Sequence, residues 1–307
     1  MGYSIRIAAD MLVRKNVQLG LSRHLNRKLA KSKVASVMTA VAHKSALVQY
    51  GKWLLKNCDG KHLKNSKVGD ARRYLLHRAE TKKQSTLDLC RQAINLHLHS
   101  DEPLEHVASM VPTVQMDRGY SESQIALLVK RAEPELALSI LLAAEAGLRD
   151  MELISLAPEH VLRPSNRDWN PDLFCGRTSD QTFSVWGKGG LCRSIKLSSQ
   201  LAIQIADKAY PEPLIRKNRQ ANLTSYFDLI GGQTFSILFG RLSKRVLGFS
   251  HGSHGLRHSF AQRRRTELLC LGFSPEEAID VVSQELGHFS QKNTKAYLRD
   301  IPLTSKQ

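Results

Sequence analysis

Between residues 34 and 54 apolar side chains recur every three or four positions (Val37, Val41, Leu47, Tyr50, Trp53, Leu54), the period of an amphipathic helix. Gly60 and Lys61 end that run, and two further helical stretches are expected at 68–79 (Tyr74, Leu75) and 85–98 (Leu89, Ile94, Leu98). The pattern predicts a small all-α unit over 34–112 with Lys and Arg on its outer faces. Ahead of it, residues 1–33 scatter Arg14, Lys15, Arg23, Arg27, Lys28, Lys31 and Lys33 among a few aliphatics, which reads as a mobile basic arm holding at most one helix. Pro103 and Pro112 break the periodicity and place a linker at 111–119. A second domain, 118–307, follows. Ser121 and Gln124 have the spacing of a capping box, and the strongly apolar stretch 134–146 is a helix ended by Gly147. Val161, then 182–186 and 193–197 flanking Gly187-Lys188-Gly189-Gly190, read as short strands with a tight hairpin. Only helices are expected afterwards, at 198–208, 234–246, 256–271, 275–284 and 291–298. The fold class is mainly α with a small antiparallel β-sheet.

Charge changes the picture. The chain of 307 residues has 45 Lys and Arg against 28 Asp and Glu, a formal net charge of +17, which suits a polyanionic partner. The first 100 residues hold 20 basic and 5 acidic side chains, while the remainder holds 25 and 23. An excess confined to one third of the chain favours a nucleic-acid-binding region over a merely solvated face. Candidate DNA contacts there are Arg14, Lys15, Arg27, Lys28, Lys44, Lys52, Arg72 and Arg73. Five scattered cysteines (Cys58, Cys90, Cys175, Cys192, Cys270) form no CxxC pair, so neither a disulfide framework nor a zinc ribbon is indicated and a reducing compartment is expected. The longest strongly apolar stretch, 136–144, is far shorter than the ~20 residues of a membrane span, and Arg6 and Asp10 interrupt any secretory apolar core. A soluble, cytosolic protein without a membrane partner is the expectation.

Four segments of the second domain put unusual polar groups at element boundaries. In the first, Arg149 follows the helix-ending Gly147 and leads into another helix; by itself it is a surface residue or a partner for Glu152. The second is the hairpin tip carrying Lys188, which lacks the spacing of a phosphate-binding P-loop. Third, His254 and Arg257 stand three residues apart at a helix start, hence on one face and near its anion-favouring end. The fourth is Leu286-Gly287-His288, followed by Thr294 and Tyr297. Taken singly, each has a bland reading.

Together, in this order, they resemble the tyrosine recombinase, or phage integrase, family. AGLRDMEL is similar to the family's TGLRxxEL, WGKGG to its lysine hairpin, HGLRHSFA to HxLRHxxA and LGHFSQKNTKAY to LGHxxxxxTxxY. The likeness covers residues 121–298; the basic helical unit before it resembles the family's SAM-like core-binding domain by layout alone. The resemblance implies a catalytic set of Arg149, Lys188, His254, Arg257, His288 and Tyr297. Tyr297 would attack a scissile phosphate and form a 3′-phosphotyrosyl link, which conserves the energy of the broken bond. Arg149 and Arg257 would hold the charge that builds on the phosphate oxygens, Lys188 would protonate the leaving 5′-hydroxyl, and the separate roles of His254 and His288 stay open, with His254 the better acid/base candidate. No metal or other cofactor is called for.

The implied partners are double-stranded DNA, three further copies of the chain in a tetramer, and an excisionase or host DNA-bending factor as accessory. The implied setting is the nucleoid of a prokaryotic cytoplasm. Departures from the pattern are Ala146 in place of Thr, a 31-residue interval from Arg257 to His288, ten residues after Tyr297, and a long polar stretch at 163–180 with no assigned role. Within this reading an integrase of a mobile element leads. A DNA-binding regulator that has lost cleavage and a type IB-like topoisomerase are the competitors.

Overall fold

Ser36 accepts a hydrogen bond from the Thr39 amide and so starts the first long helix of the chain, because an N-cap oxygen satisfies an amide that the helix itself cannot. The structure, a computed structural model, describes residues 4–19, 29, 32–99, 101–112, 117–218 and 221–298. It divides into two units, Met1–Val114 and Gln115–Gln307.

The first unit is all-helical: α1 (Ile5–Lys15), α2 (Val37–Asn57), α3 (Val68–Ala79) and α4 (Gln84–Leu98). Leu47, Tyr50 and Leu54 of α2 meet Tyr74 and Leu75 of α3 and Ile94 of α4 in one buried cluster. Val41, expected on the same stripe, is exposed. The separate basic arm is corrected for residues 5–15. Helix α1 buries Ala9 and Val13 in that same cluster, because Ile5, Ala9 and Val13 lie four apart on one face. Asn16, at its end, bonds the His97 ring at 3.0 Å, and His97 in turn bonds His43 at 3.1 Å, so the helix is tied to α2 and α4. Arg27 and Lys28 lie outside the described residues.

In the second unit α5 (Glu122–Arg131) opens on the expected Ser121–Gln124 capping box, and α6 (Pro134–Ala146) ends at Gly147 in the left-handed region, φ 60°. Next come α7 (Asp150–Ile154) and an antiparallel sheet in the order β1 (Ala157–Pro158), β2 (Gln181–Trp186), β3 (Cys192–Leu197). The β2–β3 hairpin lies where the sequence places it. Val161, read as a strand, sits in the turn after β1.

Helix α8 (Ser199–Ala206) leads into a two-stranded ribbon, β4 (Ala209–Asn218) and β5 (Ala221–Phe227), which corrects the expectation of helices alone. Its first strand carries Pro211 and Pro213 and is exposed along most of its length, so it lacks the alternation by which strands are recognised. Helices α9 (Gly232–Leu247), α10 (His254–Cys270), α11 (Pro275–Glu285) and the five-residue α12 (Gln291–Lys295) complete the unit. Among the described residues no helix is long and apolar enough to cross a membrane.

Candidate active site

Glu152 is the hub of the site. It is buried, accepts the Arg149 amide at 3.0 Å at the start of α7, and pairs with Arg149 at 2.5 Å, Arg193 at 2.8 Å and Arg257 at 3.7 Å. Burial alone would raise its pKa, but Arg193, Arg149 and Arg257 hold it far below the usual carboxylate range. Three guanidiniums around one carboxylate leave two uncompensated positive charges, a field that favours a bound anion.

Backbone geometry sets these arginines. A Cβ on Gly147 would lie 2.6 Å from the Phe260 ring, so glycine alone allows α6 to turn there into Arg149. The Gly147 carbonyl accepts from Arg257 Nη1, and the Leu286 carbonyl at the end of α11 accepts from Arg257 Nη2. Arg257 is fully buried, and burial followed by the charge of Arg149 pushes its pKa down to about 9.

His288 Nε2 lies 3.2 Å from Arg149 Nη2 and 3.3 Å from Arg257 Nη2, and its Nδ1 lies 3.2 Å from the buried Thr294 hydroxyl. Guanidiniums only donate. Nε2 must therefore be an acceptor and Nδ1 carries the proton, donated to Thr294. Burial, Arg257 and Arg149 lower the pKa of His288 to about 3, which keeps it the neutral acceptor this arrangement needs.

His254 faces the other candidate. His254 is exposed at its outer edge; its Nε2 is 2.9 Å from the Tyr297 hydroxyl, and desolvation of the ring where it packs on Tyr297 and His258, followed by the charge of Arg257, lowers its pKa to about 4. A neutral His254 can accept the phenol proton. The two histidines, inseparable by sequence, thus have different neighbours: His288 joins the arginines and His254 holds the phenol.

Lys188 is exposed on the turn between β2 and β3. That turn abuts the arginine cluster, for a Cβ on Gly187 would lie 2.9 Å from Glu152 Oε1 and 3.8 Å from Arg149 Nη1. Five of the six candidates are joined by direct contacts, and Lys188 stands beside them on a turn.

Three contributors stand outside the six candidates: Arg193 escapes a sequence reading, while Thr294 and His258 lie within the quoted motifs without a role assigned there. Arg193 shares the inward face of β3 with Ile195 and Leu197; a charge at that register, alternate with two apolar residues, was the available signal. Thr294 is the acceptor for His288. His258, one turn after His254, packs its ring 4.3 Å from that of Tyr297, and burial, then Arg118, lowers its pKa to about 4 against the opposing pull of Asp117.

The lowered histidines predict acid sensitivity. As pH falls through about 6.5 the unfolded chain protonates these histidines, while the folded chain keeps His258 neutral to about 4 and His288 to about 3. The unfolded state then binds more protons, so stability is full above pH 6.5 and is lost on acidification. Urea midpoints at pH 7 and 4.5 should show it. His258→Phe should reduce the loss by about 2 kcal/mol; an equal loss in variant and wild type would refute it.

Of the candidate DNA contacts in the first unit, Arg14 and Lys44 pair with Asp10, Arg72 with Glu105 and Arg73 with Asp70. Lys15 and Lys52 are exposed on α1 and α2. The pairs on Asp10 and Glu105 lie towards the surface, where ion pairs add little stability, whereas Asp70 is buried and also accepts from Lys61 and the Lys67 amide, so Arg73 has the more firmly held partner. The polar stretch 163–180 is fastened to the site's supports: Asn170 bonds Gln284 and Asp280, the Phe174 amide bonds Glu285, and the Cys175 carbonyl accepts from the buried Arg264.

No protein-family profile matches the sequence, and no curated protein matches it. Solved structures do match in fold. XerH site-specific recombinase bound to difH substrate, a pre-cleavage complex, aligns over 95% of this chain and 91% of its own with a TM-score of 0.56 at 15% identity. A lambda integrase dimer bound to a COC' core site aligns over 98% and 82% (TM-score 0.57, 15% identity). A lambda integrase tetramer bound to a Holliday junction aligns over 98% and 83% (TM-score 0.54, 14% identity). These likenesses extend through both units and concern architecture, and by them the chain has the fold of the tyrosine recombinases.

Proposed function

We propose that the chain is a site-specific DNA strand-transferase that works through a 3′-phosphotyrosyl intermediate, the integrase of a mobile element. The observation that carries the reading is the Tyr297 hydroxyl, 2.9 Å from His254 Nε2 in a unit that also gathers Arg149, Arg193 and Arg257 around Glu152. In this reading the Tyr297 oxygen bonds to phosphorus as the bond to the 5′-oxygen breaks. His254 takes the phenol proton, and Lys188 gives a proton to the departing 5′-oxygen. Arg149 and Arg257 stabilise the charge on the non-bridging oxygens, which is the larger part of such catalysis. Attack by another 5′-hydroxyl reverses the step and completes an exchange. The basic first unit grips duplex DNA, and a tetramer on two duplexes performs the paired exchanges.

The test incubates the full chain and Tyr297→Phe with nicked fragments of the DNA flanking its own gene. An SDS-resistant adduct is expected from the wild type and none from the variant. Retained DNA binding with no adduct on any fragment would instead favour a regulator that has lost cleavage.

A further inference from the structure

Directly after the boundary between the units, residues 117–120 run along α10 on the side that carries His254 and His258. The Tyr120 amide donates to the Ser259 hydroxyl at 2.7 Å, and that hydroxyl donates back to the Tyr120 carbonyl at 2.9 Å. A Cβ on Gly255 would lie 2.6 Å from the Arg118 carbonyl, so the helix must present glycine there for the segment to lie so close. One turn further on, Gln262 Nε2 donates to Asp117 Oδ1 at 2.7 Å and to the backbone carbonyl of Tyr297 at 3.2 Å. The Gly119 amide donates to the same Asp117 oxygen at 2.8 Å.

Tyr297 needs such a tie. Helix α12 ends at Lys295, and within its own segment the Tyr297 amide is held by the Thr294 carbonyl at 2.8 Å. Among the described residues, Gln262 supplies the backbone hydrogen bond that joins Tyr297 to another element. Asp117 fixes which way the Gln262 amide points, since a carboxylate accepts only from the nitrogen and not from the oxygen.

We propose that Gln262 is a positioning residue for Tyr297, oriented by Asp117, so that the segment entering the second unit sets where the phenol stands. The inference rests on the reading of Tyr297 as the nucleophile. Its geometric content, however, can be tested without DNA. A phenol displaced by about 1 Å loses much of its reactivity, while DNA binding, which needs neither group, is kept.

The test places 3-fluorotyrosine at position 297 of the full chain and records the fluorine spectrum without DNA. Wild type should give one narrow line. Gln262→Glu, which keeps the shape but cannot donate to the Tyr297 carbonyl, should broaden or split it, as should Asp117→Ala. Asp117→Asn keeps an acceptor oxygen and should restore the single line. Gln262→Met serves should the charge of the glutamate prevent folding. A wild-type line in both Gln262 variants would overturn the proposal, as would an Asp117→Asn spectrum as disturbed as that of Asp117→Ala. In parallel, adduct formation on nicked DNA should slow about ten-fold or more in Gln262→Glu at unchanged DNA affinity. A wild-type protein that forms no adduct while the fluorine lines respond as expected would remove the nucleophile reading and leave the positioning role standing.

Discussion

Replacing Glu152 by alanine is expected to unfold the second unit at a markedly lower denaturant concentration than wild type. Glu152 and Arg193 are each 1% exposed and Arg257 is fully buried. Two of the three arginines around the carboxylate are therefore removed from water with Glu152 as their charge partner. Removing one member of a buried pair leaves a desolvated charge behind and costs ~3–5 kcal/mol. Here one deletion exposes two buried guanidiniums to each other and to Arg149. Among the described residues Arg193 Nε and Nη1 already lack a hydrogen-bond partner, so with Glu152 gone Arg193 loses the hydrogen bond from Nη2 and keeps only the more distant attraction of Glu285. The Arg149 amide at the start of α7 also loses its acceptor, a further ~0.5–2 kcal/mol. Glu152→Gln should lose less, because an amide oxygen can still accept from one arginine and from the helix start. The measurement is urea denaturation of the two variants at pH 7. A midpoint for Glu152→Ala within ~1 kcal/mol of wild type would mean that the cluster relaxes open and that the carboxylate is not its hub.

How much of this was legible in the sequence follows from what each element buries. Helix α3 occupies the predicted residues 68–79 because its apolar residues keep a 3.6-residue period and a turn precedes it. The β2–β3 hairpin was legible through its glycines. The β4–β5 ribbon was not, since Pro211, Pro213 and a row of exposed side chains give a strand that packs few residues on the core. Helix α1 was hidden by Arg14 and Lys15. These lie in its last turn, where cations favour the helix end, while Ala9 and Val13 are small enough to be overlooked as a core stripe. At the site, four ordered motifs marked Arg149, Lys188, His254, Arg257, His288 and Tyr297 as candidates. The partners that orient them came from scattered places. Thr294 lies inside the fourth motif but its bond to His288 does not show in the spacing, Arg193 lies on a strand outside all four, and Asp117 with Gln262 are 145 residues apart, a separation that no local pattern encodes.

Arg257→Lys is expected to abolish strand cleavage while leaving most of the DNA affinity. Arg257 is held in three directions at once: Nη1 on the Gly147 carbonyl, Nη2 on the Leu286 carbonyl, and Nη2 again towards His288 at 3.3 Å. An ammonium has three donors on one atom and cannot span two carbonyls on separate elements from a planar fork. One of those carbonyls would be left unpaired, at ~1–3 kcal/mol, and His288 would lose one of its two guanidinium donors. The lysine would then stand where the guanidinium stood only by giving up its backbone contacts, so its charge would be both misplaced and mobile. For a group proposed to stabilise phosphate charge in the transition state, such a loss is worth ~10²–10³ in rate. Binding should suffer little, because most phosphate contacts of the proposed complex belong to other residues and depend on summed charge, which Lys preserves. The check is single-turnover adduct formation on a nicked substrate at saturating protein, alongside a binding isotherm on the same DNA. A rate within ten-fold of wild type would show that charge alone suffices at this position, and the fork geometry around Gly147 and Leu286 would then be a matter of stability, not of catalysis.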